Sequence, residues 1–289
     1  MSNRTESNGR ANPAGAVPYN FEMGKFEVSR DMITKASTAG GLGISLHNMS
    51  FVGGPRDDMP ATGVSWNEAA RFVNWLNTSQ DFPAAYKFSS QPGDVGYNAN
   101  VNISLWESGD AGFNAANPFR NSLARYVLPT ADEWYKAAFH DASAGTAGTY
   151  FNYPTGSDTP PQDVASGTTF GTAVYKTADG PADITQAGGL SPYGTMGQGG
   201  NVFELEETAF DLMNSSGSSS RGWRGGDWNE AENVLSVSGR FDFGPASNEG
   251  FSTGFRVASV PEPSSFLLLS AAFLGMSIGR RMCIGTVRQ

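Results

Sequence analysis

Cysteine is all but missing from this chain: the single one, Cys283, falls in the final seven residues, so no intrachain disulfide can form. Cysteine usage therefore gives no positive sign of an oxidising compartment. Histidine is nearly as scarce, and because His47 and His140 stand far apart with no metal-ligand spacing, a three-histidine iron or zinc centre is ruled out. Charge is thin too, at 16%, and unbalanced, with 19 Lys+Arg against 28 Asp+Glu. Residues 261–289 hold three of the basic residues and one of the acidic ones, which leaves the body before them near −11. Such a surface repels phosphate backbones and argues against nucleic-acid binding. It suits cations, or plain solubility.

What is abundant is glycine, 36 residues among 289, together with aromatics at 12%. The combination predicts a loop-rich fold held by large rings, in a chain long enough to bury a proper core. Residues 1–18 are polar, rich in Asn, Ser, Gly and Ala, and predict a disordered lead. They lack the apolar core of a secretory signal.

The far end is different. "VPEPSSFLLLSAAFLGMSIGRRMCIGTVRQ" opens on a Pro-Glu-Pro break, runs almost uncharged from Ser264 to Gly279, and closes on Arg280 and Arg281. The apolar run is shorter than the roughly 20 residues of a comfortable spanning helix, yet long enough for marginal insertion with the arginines on the cytoplasmic side. A C-terminal core helix is the alternative, though a helix apolar all round fits an acidic folded domain poorly. The order of elements resembles the PEP-CTERM sorting signal of Gram-negative envelope proteins, with Pro261, Glu262 and Pro263 as the tripeptide. That resemblance implies export, a transient membrane anchor through residues 261–289, and removal of this tail by an exosortase-type transpeptidase. Export needs a leader, so the expectation is that one precedes Met1 or that the start is misplaced.

Two helices are announced by their caps. In "SWNEAARFVNWLN", Ser65 and Glu68 form a capping box and Ala69, Phe72, Val73 and Leu76 share a face. In "TADEWYKAAF", Thr130 and Glu133 repeat the device, with Trp134, Ala137 and Ala138 on one side. "GKFEVSR" (24–30) alternates as a strand, as does "GFRVASV" (254–260), so the two are expected to pair and close the domain. Between Gly145 and Gly200 there is little periodicity, which points to binding loops or a flexible surface.

Taken in order, "MGKFEVSRDMI", "MPATGVSWNEAARFVNWLN", "YVLPTADEWYKAAF", "SPYGTMGQGGNVFELEE", "RGWRGGDWN" and "GFRVAS" resemble the formylglycine-generating enzyme, or sulfatase-modifying-factor, domain over residues 19–260. The resemblance implies an α+β fold, a loop-rich variant of the C-type lectin fold with few helices and short strands. The enzyme itself oxidises a substrate cysteine using O₂ and copper(I), held by two cysteines after a Gly-Gly motif. Placing Gly225 and Gly226 on that motif puts Glu230 and Leu235 at the two thiolate positions, and a carboxylate beside an alkyl chain does not suit copper(I). No copper is expected, nor the histidine-ligated iron of a second branch of the superfamily.

The family's structural calcium carries over to the carbonyls of Gly200 and Val202 with the carboxylate of Glu204, although Gly197 stands where the family has an asparagine. A second loop site would use Asn152 and the carbonyl of Tyr153, with Asp158 or Asp163 downstream. The same residues also serve as plain turn formers. Arg256 is expected to be a structural ion-pair partner, while Glu206, Glu207 and Asp211 are expected to be mostly solvated.

The expected function is an exported or envelope-associated, non-catalytic binding module, with a pocket formed by Trp223, Arg224, Asp227, Trp228, Asn229 and Glu230 for a glycan or peptide. Trp223, Trp228 and Phe243 would stack a flat or sugar-like ligand or else pack in the core. The alternatives are an oxidoreductase with altered chemistry and a structural surface or matrix protein.

Overall fold

The computed structural model describes residues 15–145, 148–241 and 244–260. Among these, three α-helices form where capping side chains start them. Ser29 caps α1 (Arg30–Gly40) by accepting a bond from the Met32 amide, and Gly41 ends it at φ 62°, a conformation that glycine adopts without strain. Both expected capping boxes are present, in α2 (Trp66–Thr78) and α3 (Ala131–Phe139). Nearly all of α2 is buried, because its apolar stripe faces the core while Asn74 and Asn77 bind backbone groups of neighbouring loops. The α1 helix was not legible beforehand, since its polar sequence buries only Ile33 and Ala36.

The strands are short. β1 (Glu22–Met23) and β2 (Tyr126–Val127) both pair antiparallel with β8 (Ala258–Ser259), which ties the beginning, middle and end of the body together. The expected closure of the domain is therefore real, but residues 24–30 do not form the strand. The Gly24 amide still bonds Val257 and the Val28 amide Phe255, after which Ser29 turns the chain into α1. β3 (Gln162–Asp163) and β4 (Thr172–Ala173) form a small parallel pair within the long loop region. The central sheet places β5 (Phe203–Ala209) between antiparallel β6 (Arg221–Arg224) and parallel β7 (Thr253–Gly254).

In the core α2 packs against α1 and β2, and its Trp66 reaches the central sheet by donating its indole N–H to the Glu206 carbonyl. Trp66 meets Tyr86 edge-on at 5.2 Å, and Phe203 meets Trp223 at 6.3 Å. Arg221 is buried between the rings of Trp66 and Phe119, 4.2 Å from each, and burial lowers its pKa to about 10.

The most unusual element is β5, whose Glu204, Glu206 and Glu207 are all fully buried. The expectation that Glu206 and Glu207 are solvated is corrected, and the reason is compensation by guanidinium groups from distant segments. Glu206 takes Arg224 Nε at 2.5 Å and Arg240 Nε at 2.8 Å. Glu207 takes Arg120 Nε at 2.8 Å, the Tyr86 hydroxyl at 2.7 Å and the Asn117 amide. Arg120 also forks onto Glu133, so every charge in the cluster has a partner. Room for the Glu206 pair comes from Gly222 on β6, where a Cβ would lie 2.2 Å from the carboxylate.

The folded body begins before Tyr19. Gly15 is buried, its amide bonds Asp132 and its carbonyl accepts from the Tyr150 hydroxyl, so residues 15–18 belong to the domain and not to a disordered lead. The sorting tail, including Pro261, Glu262, Pro263, Arg280 and Arg281, lies outside the described residues, as does Phe243. Among the described residues no helix is long and apolar enough to cross a membrane.

Candidate functional site

From the end of β6 the chain turns twice through left-handed backbone, at Gly225 (φ 92°) and Gly226 (φ 77°). Neither tolerates a side chain: a Cβ on Gly226 would meet the Leu235 methyl at 2.9 Å, and one on Gly225 would meet the Gln198 carbonyl at 3.1 Å. The turn delivers Asp227, whose Oδ1 accepts the Asn229 amide at 2.8 Å and shapes the loop that follows. Backbone bonds from Trp228 to Asn201 and from Thr177 to Trp228 pin that loop, and Lys176 pairs with Glu232 beside it.

The expected pocket residues separate into two groups. Trp223 and Arg224 do not reach any rim: Trp223 packs in the main core and Arg224 is held inside by Glu206. Asp227, Trp228, Asn229 and Glu230 do come together, but Asp227 and Trp228 are buried, Trp228 in a second apolar cluster, and it is Asn229, exposed, and Glu230, half-exposed, that reach the surface. Leu235 is buried beneath them. Burial raises the pKa of Asp227, and burial followed by the Asp227 charge raises that of Glu230.

Two further loops complete the rim. Met49, in left-handed backbone, anchors the first by burying its side chain among Met59, Val202 and Trp228, so that Phe51 projects outward. The second brings Phe251, with Ser252 hydrogen-bonded to Asp227. Phe51 is 55% exposed and Phe251 52%, and their rings meet edge-on at 5.6 Å. Phe51 lies 6.5 Å from Trp228, Phe251 lies 6.2 Å from it, and His47 meets Phe51 at 5.6 Å. The His47 Nδ1 accepts the Met49 amide, which orients the imidazole. This aromatic group lies against the Asp227 to Glu230 loop, offering faces for stacking and oxygens for hydrogen bonds. Sequence reasoning missed Phe51 and Phe251, which come from loops about 200 residues apart with no periodicity to expose them.

The calcium expectation fares unevenly. Glu204 does not fit it, because Arg256 donates to both carboxylate oxygens, at 2.5 and 2.6 Å, and Trp134 Nε1 adds a bond at 2.7 Å. A guanidinium already supplies the positive charge that an ion would bring, and Arg256 is the structural partner expected. Gly200 sits against the Val174 carbonyl, which a Cβ would meet at 2.0 Å, and Val202 packs in the cluster of Met49, Met59 and Trp228. Gly197 supplies no side-chain oxygen there, and a Cβ on it would run into the Glu27 carboxyl at 2.8 Å. Burial, then the Glu204 charge, raises the pKa of Glu27 well above its ordinary value, and Asn201 bonds both its oxygens. Asn152 and Tyr153 lie in a loop closed by Asp158 and Ser157; the residues that would hold an ion there are Asn152, the Tyr153 carbonyl and Asp158. Among the described residues there is no group of three or more His, Cys, Asp or Glu able to hold a metal.

Short strands around an arginine-bridged interior, three capped helices and a Gly-Gly turn feeding a surface loop define a loop-rich α+β fold of the formylglycine-generating, C-type-lectin-like kind. The chain belongs to the sulfatase-modifying factor enzyme 1-like domain family, whose model matches residues 3–260. The PEP-CTERM protein-sorting motif matches residues 259–281, which implies processing by an exosortase-type enzyme and an envelope or extracellular protein of Gram-negative type. Among solved structures the chain is similar to Treponema denticola variable protein 1, at 20% identity and TM-score 0.56 over 83% of this chain and 84% of that one. It is also similar to CarF (18% identity, TM-score 0.55, 83% and 86% covered) and to PvdO from Pseudomonas aeruginosa (17%, 0.50, 83% and 80%). At these identities the likeness shows the fold alone. No curated protein matches.

Proposed function

We propose that this chain is an exported or envelope-associated, non-catalytic binding module that captures a glycan or peptide at the rim formed by Phe51, Asn229, Glu230 and Phe251, with Trp228 buried beneath them. The observation that carries the reading is the pair of half-exposed phenylalanines, held edge-on by a buried methionine anchor and set against a carboxylate-bearing loop. Large rings exposed together on a soluble surface mark recognition sites more than they serve stability. The positions that the family resemblance gives to copper thiolates hold Glu230, at the rim, and Leu235, in the core. Neither suits copper(I), which takes soft sulfur ligands.

The test has two arms. The copper-exposed protein is mixed with a Cys-x-Pro-x-Arg peptide, and neither oxygen uptake nor aldehyde is expected. Glycan and peptide arrays are then probed with wild type and with the Phe51→Ala/Phe251→Ala double variant, which should lose the signal. Stoichiometric copper(I) with peptide turnover would make the protein an oxidoreductase. Silence on both arrays would leave a structural surface protein.

A further inference from the structure

On another face of the molecule, a cleft of about 470 Å³ opens between the N-terminal strap Ala16–Tyr19 and the start of α3. It shares no residue with the aromatic rim. Its volume lies within the roughly 300–1,000 Å³ of small-molecule sites.

The strap is fixed in place as one wall. Gly15 bonds Asp132 Oδ1 at 2.7 Å and receives the Tyr150 hydroxyl at 2.9 Å, while the Tyr19 hydroxyl donates to Glu133 at 2.6 Å. A Cβ on Gly15 would fall 2.3 Å from that Tyr150 oxygen, so the strap is built for this seat.

The lining is hydroxyl- and amide-rich. Thr130 Oγ1 accepts the Glu133 amide and Thr208 Oγ1 accepts the Ala131 amide, so each hydroxyl still has its own proton to donate. Asp132, one of whose oxygens takes Gly15, keeps acceptor capacity for a ligand. Asn114 adds an amide, while Asn117 beside it is bonded to Glu207 and Asn214. The guanidinium at the floor, Arg120, is already neutralised by Glu133 and Glu207, so together with Asp132 the charges here are net negative. An anion would meet more carboxylate than guanidinium. A purely apolar molecule would leave the hydroxyls and amides unpaired.

We propose that this cleft is a separate binding site for neutral, polyhydroxylated molecules of the saccharide class. Sugar hydroxyls both donate and accept, which matches an acceptor at Asp132 facing donors at Thr130 and Thr208.

The experiment is saturation-transfer NMR and calorimetry on the full chain with glucose, galactose, mannose, N-acetylglucosamine and maltose, each at millimolar concentration, and inorganic phosphate as comparison. The expected result is transfer to the ring protons of at least one sugar. Asp132→Asn and Thr208→Val should each weaken binding at least about tenfold, the scale of one hydrogen bond to a charged or buried group. Thr208→Ser, which keeps the hydroxyl, should restore it. These comparisons are made in the Phe51→Ala/Phe251→Ala background, so that any sugar held at the rim does not contribute to the signal read from the cleft. No transfer from any sugar, transfer indifferent to both Asp132→Asn and Thr208→Val, or binding of phosphate instead would overturn the proposal.

Discussion

Replacing Glu206 by glutamine keeps the side chain's shape and removes its charge, and the structure says this is among the costliest isosteric changes available. Arg224 and Arg240 both donate to Glu206, and all three side chains are at most 1% exposed. Glutamine would take the Glu206 charge away from two buried guanidinium groups, although Arg224 keeps the Gly239 carbonyl and Arg240 those of Phe210 and Ala209. Breaking a buried pair from one side costs about 3–5 kcal/mol. A domain has only about 5–15 kcal/mol in total. For a domain of this size each kcal/mol moves the melting temperature by about 2–4 °C, so a fall of roughly 6–20 °C is expected at neutral pH.

Calorimetry or circular dichroism melts of wild type and Glu206→Gln read this directly, and the pH dependence gives a second check. Burial pushes the Glu206 carboxyl up, but Arg240 and Arg224 outweigh it and hold the pKa below its ordinary value. A depressed folded-state pKa gives stability that is present above the unfolded value, about 4.3, and lost as pH falls from there. The gap between wild type and variant should therefore narrow on acidification below that point. A melting temperature within about 2 °C of wild type at neutral pH, with no narrowing in acid, would show that the two arginines do not depend on Glu206.

Two other outcomes are expected. Glu204→Ala should destabilise the fold by removing the partner of Arg256, by about 3–5 kcal/mol, and by the same amount in calcium and in chelator; a calcium-dependent difference between the two melts would return Glu204 to the role of metal ligand. Expressed with a leader in a host that carries an exosortase, the protein should be recovered by mass spectrometry as a chain ending near Pro261-Glu262-Pro263, and mature exported protein retaining Cys283 would contradict that.

The parts of this fold that were legible in the sequence are those whose physics is local. A capping box joins residues three apart, so Ser65 with Glu68 and Thr130 with Glu133 announced α2 and α3 directly. The glycines at 225 and 226 likewise marked a turn because their requirement is their own backbone. β5 was misread for the opposite reason. "FELEETA" has the alternation of a half-solvated strand, yet its glutamates are buried because Arg120, Arg224, Arg240 and Arg256 reach them from 18 to 87 residues away. Nothing near a glutamate tells whether a distant arginine will arrive. The same limit hid Phe51 and Phe251 and left it open that Trp223, Arg224 and Trp228 would be buried, since burial in a loop-rich fold is decided by which loops meet.

The division of labour between β5 and the rim has a consequence for how this protein can change. Rigidity resides in an interior of paired charges to which Tyr19, on the surface, adds a hydroxyl, whereas Phe51, Asn229, Glu230 and Phe251 stand outside that network. Exposed substitutions apart from such networks shift stability by about 0.5 kcal/mol or less. New side chains can thus be written onto this surface, one after another, while the frame that presents them folds as before: the rim is interchangeable and the scaffold is not.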